Sequence, residues 1–278
     1  MTERIRRIFN NNALLAINEK GQEVIYVGRG LAYGCSKGDI VRKEYIDKTF
    51  SLSSDHNEKF TELIEEFSLE DILLAEKAIS YIKQKSKDVL SDSIYVTLTD
   101  HISIMLERIR KGCDFDYTSL LNIKQLYHEE FKIAEGVVDL ISQDLKMEIP
   151  KAEANFITLH IVNASTDSNI VKVYKITNMM TGILNIVKTR FDISETDNID
   201  YDRFVTHCRF LVNRIIDQQK TNLDSGKELK AWSSLISIYD DENECVNEIT
   251  DYLLQKYNYS INKEERLYLM LHLAKLTR

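Results

Sequence analysis

Four of the six histidines in this chain fall into two matched pairs. His101 closes Leu98-Thr99-Asp100-His101, and His207 closes Phe204-Val205-Thr206-His207. His160 lies in Leu159-His160-Ile161, and His272 in Leu271-His272-Leu273. An imidazole is largely neutral near pH 7 and offers a nitrogen lone pair, which suits it to take up a phosphoryl group. The same ring can instead be a half-buried core residue or a metal ligand. Against the metal, the four lack HxxxH or HExxH spacing, a cysteine pair and a consistent carboxylate. A role present in duplicate favours the phosphoryl acceptor. Adjacent helical residues point about 100° apart, so Asp100 is expected to orient a group on a facing helix, such as His160, and not His101. His56 and His128 have no counterpart and are given no role.

A second stretch with chemical potential is Gly28-Arg29-Gly30-Leu31-Ala32-Tyr33, preceded by Asn10-Asn11-Asn12. Two glycines let backbone approach a partner closely while the arginine projects a planar, permanently charged fork. Asparagine amides can pair with base edges, and a tyrosine ring can stack on an unpaired base. That combination suits RNA. It is equally the composition of a tight turn beside a polar strand end.

These residues need elements to hold them. Ala13–Ile17 and Glu23–Val27 are short apolar runs split by Asn18-Glu19-Lys20-Gly21, which predicts a hairpin. Ser36-Lys37-Gly38-Asp39 predicts another turn. A sheet of fifty residues buries little, so pairing with a second copy is expected. Residues 51–57 are small and polar and read as a linker. Helical periodicity follows over 60–67, 72–82, 93–110, 119–145, 150–164, 170–190, 200–219, 228–257 and 263–277, with Pro150 at a first-turn position. The predicted fold is mainly α: a small N-terminal antiparallel β-sheet domain and two homologous all-α helical bundles, with boundaries 1–57, 65–169 and 170–278.

The duplication is explicit. Ile149-Pro150-Lys151-Ala152-Glu153 with Leu159-His160-Ile161 returns as Ile261-Asn262-Lys263-Glu264-Glu265 with Leu271-His272-Leu273, and five of those eight positions are identical. Two related helical domains account for this.

Charge separates head from body. Residues 1–50 hold 9 Lys and Arg against 6 Asp and Glu, leaving 27 against 38 for the rest of a chain whose net charge is -8. A basic head suits an anionic ligand, and the acidic body is ill suited to nucleic acid. Cys35, Cys113, Cys208 and Cys245 form no CxxC, as expected of reduced thiols in the cytoplasm. No apolar run approaches the length of a membrane span, and no cofactor is expected. An enzyme is disfavoured: Ser-His-Asp and metal patterns are missing, and the glycine stretch lacks the Gly-Lys-Ser/Thr ending of a phosphate cradle. A DNA-binding activator would need a helix-turn-helix head where strands are predicted.

In order and spacing, Ile8-Phe9-Asn10-Asn11-Asn12, Gly28 to Tyr33, Ser93 to His101, Phe156 to Ala164 and Arg203 to His207 resemble the BglG/SacY/LicT family of bacterial transcriptional antiterminators over essentially the whole chain. The resemblance implies a dimeric co-antiterminator head that grips an RNA hairpin in a nascent leader transcript and blocks the overlapping terminator. Two PTS regulation domains would follow. Carried over by position, the RNA contacts are Asn10, Asn12, Gly28, Arg29, Gly30 and Tyr33, with Arg7 on a phosphate. Tyr33 stands where several members carry Phe. The phosphorylation sites are His101, His160, His207 and His272. The first domain would take an inhibitory phosphoryl group dependent on a sugar-specific enzyme II, and the second an activating one from HPr. Arg203, Arg209 and Arg214 lie near His207 in sequence and are expected phosphoryl partners.

Overall fold

The computed structural model describes residues 3–51, 54–113, 123–166, 169–191, 199–217, 236 and 238–277. Four strands, β1 (Arg4–Asn10), β2 (Ala13–Ile17), β3 (Glu23–Val27) and β4 (Lys48–Phe50), form one antiparallel sheet in sequential order. Side chains alternate across a pleated strand, and here both faces are apolar. Leu14, Ala16, Val24 and Tyr26 point to one side and pack under the long β3–β4 connection through Leu31, Ala32 and Val41. Ala13, Ile25, Val27 and Phe50 point to the other, where they meet Phe60, Leu63, Ile64 and Ile72 of the first helices. Both expected turns are present, with Gly21 and Gly38 at φ of 79° and 96°, a region open chiefly to glycine.

The helices are α1 (Ser54–Glu66), α2 (Leu69–Lys85), α3 (Ser93–Arg110), α4 (Ile123–Leu126), α5 (His128–Leu145), α6 (Glu153–Thr166), α7 (Ile170–Arg190), α8 (Ile199–Ile216), α9 (Asp240–Tyr257) and α10 (Lys263–Leu276). Three details differ from the sequence expectation. Ser54 to Asn57, read as linker, form the first turn of α1, because Phe60, Leu63 and Ile64 on the same helix find a sheet to cover. The helices expected over 119–145 and 228–257 break at Tyr127 and Tyr239, whose non-helical dihedrals, with ψ of 58° and 53°, directly precede α5 and α9. Pro150 precedes α6 by a turn, its carbonyl accepting from the Glu153 amide at 2.9 Å. Residues 119–122, 218–219, 228–235 and 237 of the expected helices lie outside the described residues.

The chain divides into two compact units, Met1–Ser119 with Tyr127–Asn169, and Leu120–Leu126 with Ile170–Arg278. The sheet therefore shares a unit with the first helical region. In that unit α2 packs on α3 and α5, and α6 packs on α3 and α5; in the second unit α7 packs on α8 and α9, and α10 packs on α8 and α9. This is one ring of four helices built twice. Even the ends correspond: Tyr127 and Tyr239 precede α5 and α9 with similar dihedrals, and Lys146 and Asn258 follow them in the left-handed region. One contact is reversed. Gly136 on α5 leaves no room for a methyl group against Tyr81 of α2, whereas in the second unit the glycine, Gly182, is on α7 and the ring, Tyr252, on α9.

Phe60 is 1% exposed and lies 4.7 Å from the Phe50 ring, at the seam between sheet and helices. Its replacement by alanine removes a large side chain from a packed site and is expected to cost about 3–5 kcal/mol of stability. Denaturant unfolding of the full chain measures it.

Candidate functional site

The β3–β4 connection is held by the asparagine run. Asn12 accepts from the Gly28 amide through its carbonyl at 2.8 Å and from the Gly30 amide through its Oδ1 at 2.9 Å, and the Asn11 carbonyl accepts from Ala32 at 3.0 Å. Asn10 fixes Asn12 in turn, accepting from its amide at 2.8 Å. At Gly28 a Cβ would run into the Tyr45 carbonyl, and Gly30 has φ of 68°, so neither glycine is interchangeable with alanine. What the loop presents outward is Arg29, with 82% of its side chain exposed, and Tyr33, 69% exposed. An exposed ring beside an exposed guanidinium is a surface on which an unstacked base can lie.

Three of these residues also reach the helices of the same unit. Arg7 pairs with Glu65 and Arg29 with Glu70, both at 3.0 Å, and Asn10 donates through Nδ2 to the Ile64 carbonyl at 2.8 Å. The Asn10 amide is thus engaged at both ends, while both ion pairs are solvent-exposed. Such pairs contribute roughly 0–1 kcal/mol, so a competing anion can displace either carboxylate at little cost.

The helical units bring the histidines together as pairs. His101 of α3 and His160 of α6 have ring centres 5.0 Å apart, and His207 of α8 and His272 of α10 are 3.9 Å apart. His160 is 7% exposed, and burial together with His101 holds its pKa well below the ordinary histidine range. Its Nδ1 finds no hydrogen-bond partner among the described residues. His101 is the more accessible of the two and stacks on Phe156 at 5.6 Å. In the second unit, desolvation and His272 lower the pKa of His207. His272 Nδ1 lies 2.8 Å from the Tyr268 carbonyl. A carbonyl only accepts, so Nδ1 is the donor in this contact.

The carboxylate facing the first pair is Glu153, not Asp100. Glu153 Oε2 is 3.2 Å from His101 Nε2, and its other oxygen pairs with Arg108, while the acid itself has no exposed surface. Asp100 is instead shifted upward by burial, with His101 and Glu66 as the charges it senses. Arg214 and Glu265 pair at 3.0 Å in the second unit. Of the three arginines expected near His207, Arg203 pairs with Asp200 and Arg209 donates to the Leu126 carbonyl, leaving Arg214 as the one that lines a cavity with His207. Each unit therefore repeats a two-rung ladder between antiparallel helices: a histidine rung, and an arginine–glutamate rung two turns away. The signal was in the sequence, since arginine follows His101 and His207 by seven residues and glutamate precedes His160 and His272 by seven. Seven residues is close to two turns, which puts both on one helix face.

Among the described residues no three histidine, cysteine or acidic side chains converge as metal ligands, and no helix is long and apolar enough to cross a membrane.

A sheet domain with an exposed Arg–Tyr loop, joined to two copies of a histidine-paired helical domain, defines a regulator with a ligand-binding head and a duplicated control body. The CAT RNA binding domain family matches residues 4–59, and the PRD domain family matches residues 54–164 and 181–276. The chain belongs to the BglG/SacY/LicT family of transcription antiterminators. It is 34% identical to the transcription antiterminator LicT of Bacillus subtilis (strain 168) over 99% of both chains, and 34% identical to the beta-glucoside operon antiterminator of Dickeya chrysanthemi over 98% of this chain and 96% of that one. Among solved structures, that of GlcT CAT-PRDI is 28% identical with a TM-score of 0.50, covering 60% of this chain and 99% of its own.

The lowered pKa of His160 sets a pH dependence. Below the ordinary histidine value of 6.5 the unfolded chain takes up a proton that the folded site refuses. Stability is accordingly full above that pH and falls as pH drops through it. Unfolding of the full chain between pH 8 and pH 5 should show this loss, and His160→Gln, neutral throughout, should show less of it.

Proposed function

We propose that the chain binds, as a homodimer through its sheet domain, an RNA hairpin in a nascent leader transcript, and that this keeps the overlapping terminator from forming. The observation that carries this is the loop from Gly28 to Tyr33, whose backbone is braced by Asn10 and Asn12 and whose Arg29 and Tyr33 side chains stand free of the core. A-form RNA hides its major groove, so a protein reads its loops, bulges and minor groove. Arg29 supplies the fork, Tyr33 the stacking ring, Gly30 the close backbone approach, and Arg7 a phosphate contact. Asn12 keeps its Nδ2 for a base edge, and Asn10 and Gly28 act by shaping the loop. Residues 3–51 form strands and turns with one 3-10 turn, a head suited to RNA and unlike the helix-turn-helix of a DNA-binding activator. Acting on nascent RNA places the protein in the cytoplasm.

Control of this activity would be by phosphorylation of the paired histidines, with HPr and a sugar-specific enzyme II of the phosphotransferase system as donors. In the first unit the shielding of His160 favours His101 as acceptor; in the second, both His207 and His272 are partly exposed. A phosphoryl group adds nearly two negative charges and three acceptor oxygens, enough to lock or break a helix contact. The relatives named for a beta-glucoside operon and for the glcA/glcB genes are antiterminators, which supports the reading of the chain as an antiterminator.

The test is a gel shift of the full chain against an RNA hairpin with internal loops and against duplex DNA, over a salt series. Tyr33→Ala should weaken RNA binding by about 1–3 kcal/mol, the worth of one stacked base. Arg7→Ala should lower the salt slope by about one phosphate contact. Equal affinity for duplex DNA would overturn the proposal. In cells, the double variant His207→Asp and His272→Asp should antiterminate without HPr, measured with a reporter behind the leader.

A further inference from the structure

The ladder in the second unit contains a cation in reserve. The cavity beside His207, about 330 Å³, is lined by Phe210, Arg214, Glu264, Glu265 and Tyr268 among others. Its described lining holds two carboxylates and one guanidinium, so a phosphoryl group on His207 enters a net acidic site. Among the described residues Arg214 is the one cation lining it. Helical side chains lean toward the N-terminus of their helix, which carries Arg214 back toward His207 two turns earlier.

Two features make Arg214 ready to change partners. Its Nη2 donates to Glu265 at 3.0 Å, but its Nε is buried with no hydrogen-bond partner among the described residues. An unpaired buried donor is costly, and a phosphoryl oxygen would satisfy it. Glu265, for its part, does not depend on Arg214. It accepts from the Asn262 backbone amide at 3.4 Å in a capping box, and it stands in the first turn of α10, where the helix dipole favours a carboxylate. Losing the arginine therefore leaves it neither stranded nor unpaired.

We propose that Arg214 is the positioning residue that receives the phosphoryl group formed on the His207–His272 pair, exchanging its ion pair with Glu265 for that group. This rests on the reading of the pair as a phosphoryl acceptor. Exchange converts the arginine–glutamate rung into a clamp at the histidine rung, and so moves the point where α8 and α10 are tied by two turns.

The experiment uses the full chain and phosphoramidate as phosphoryl donor. An imidazole nitrogen attacks phosphorus, the P–N bond of the reagent breaks, and ammonia leaves with the proton displaced from the ring. Phosphorus-31 NMR follows the product, with resonances assigned by comparison with His207→Gln and His272→Gln. Each resonance is titrated with pH in the parent chain, Arg214→Gln, Glu265→Gln and the surface control Arg203→Gln. A guanidinium on the phosphoryl group holds its last proton off. The titration midpoint should therefore rise by about one unit in Arg214→Gln, stay put in Arg203→Gln, and fall in Glu265→Gln, where the arginine is released. A helix contact that was only structural would not move this midpoint. Identical midpoints in all folded variants overturn the proposal. If Arg214→Gln does not fold, an unshifted Glu265→Gln overturns it alone. Failure of the parent chain to form phosphohistidine at either position sinks the acceptor reading itself, a result distinct from labelled protein with unmoved midpoints.

Discussion

A carboxylate with no exposed surface sets the terms for the first helical unit. The cost of taking Glu153 out of water is offset by Arg108, which pairs with one of its oxygens, and by His101, 3.2 Å from the other. The acid thus ties α6 to α3 and places the two histidines opposite each other. In the second unit the equivalent Glu265 is less deeply placed and contacts Arg214 and its own helix N-terminus, and among the described residues it pairs with no histidine. The same ladder therefore has two electrostatic settings. New negative charge on His101 meets a buried anion, while new charge beside His207 meets an arginine with a donor to spare. One duplicated scaffold thus offers the same added charge two different surroundings.

The head obeys a different constraint. Its outward chemistry depends on backbone that cannot change: Gly28 has no room for a side chain, Gly30 sits at positive φ, and Asn10 and Asn12 supply the hydrogen bonds that fix both. The sheet's second face is closed by Phe60, Leu63 and Ile64, so the head is cored partly by helices that belong in sequence to the regulatory region. Exposed ion pairs from Arg7 and Arg29 to Glu65 and Glu70 cross the same seam. The two guanidinium groups proposed to meet RNA are thus the same two that reach the helices.

Most of the architecture was legible in the residues. The short apolar runs of β2 and β3, the Asn18–Gly21 turn and the repeated Leu-His-Ile and Leu-His-Leu segments already carry the sheet, the hairpin and the duplication. The pairing of His101 with His160 and of His207 with His272 had no direct signature, because it depends on which helices lie antiparallel. Arginine and glutamate at seven-residue spacing were visible, but helical surfaces abound in such charges, and only packing shows which of them face inward. The carboxylate beside the histidines was sought at Asp100, adjacent in sequence, whereas the fold brings it from Glu153 on another helix. The early start of α1 was hidden for a similar reason: its opening residues are polar, and what makes them helical is the apolar face that follows.

The reversed contact between α2 and α5 on one side and α7 and α9 on the other bears on how two near-copies fold in a single chain. Tyr81 fits over Gly136, and Tyr252 over Gly182. Were α2 to dock on α9, two tyrosines would compete for one space; were α7 to dock on α5, two glycines would face each other across a void. Either mistake is penalised by steric overlap or by an empty gap. A newly made polypeptide carrying both repeats is steered toward self-matched bundles, and exchange of helices between neighbouring repeats is discouraged by the placement of two hydrogens where side chains would otherwise be.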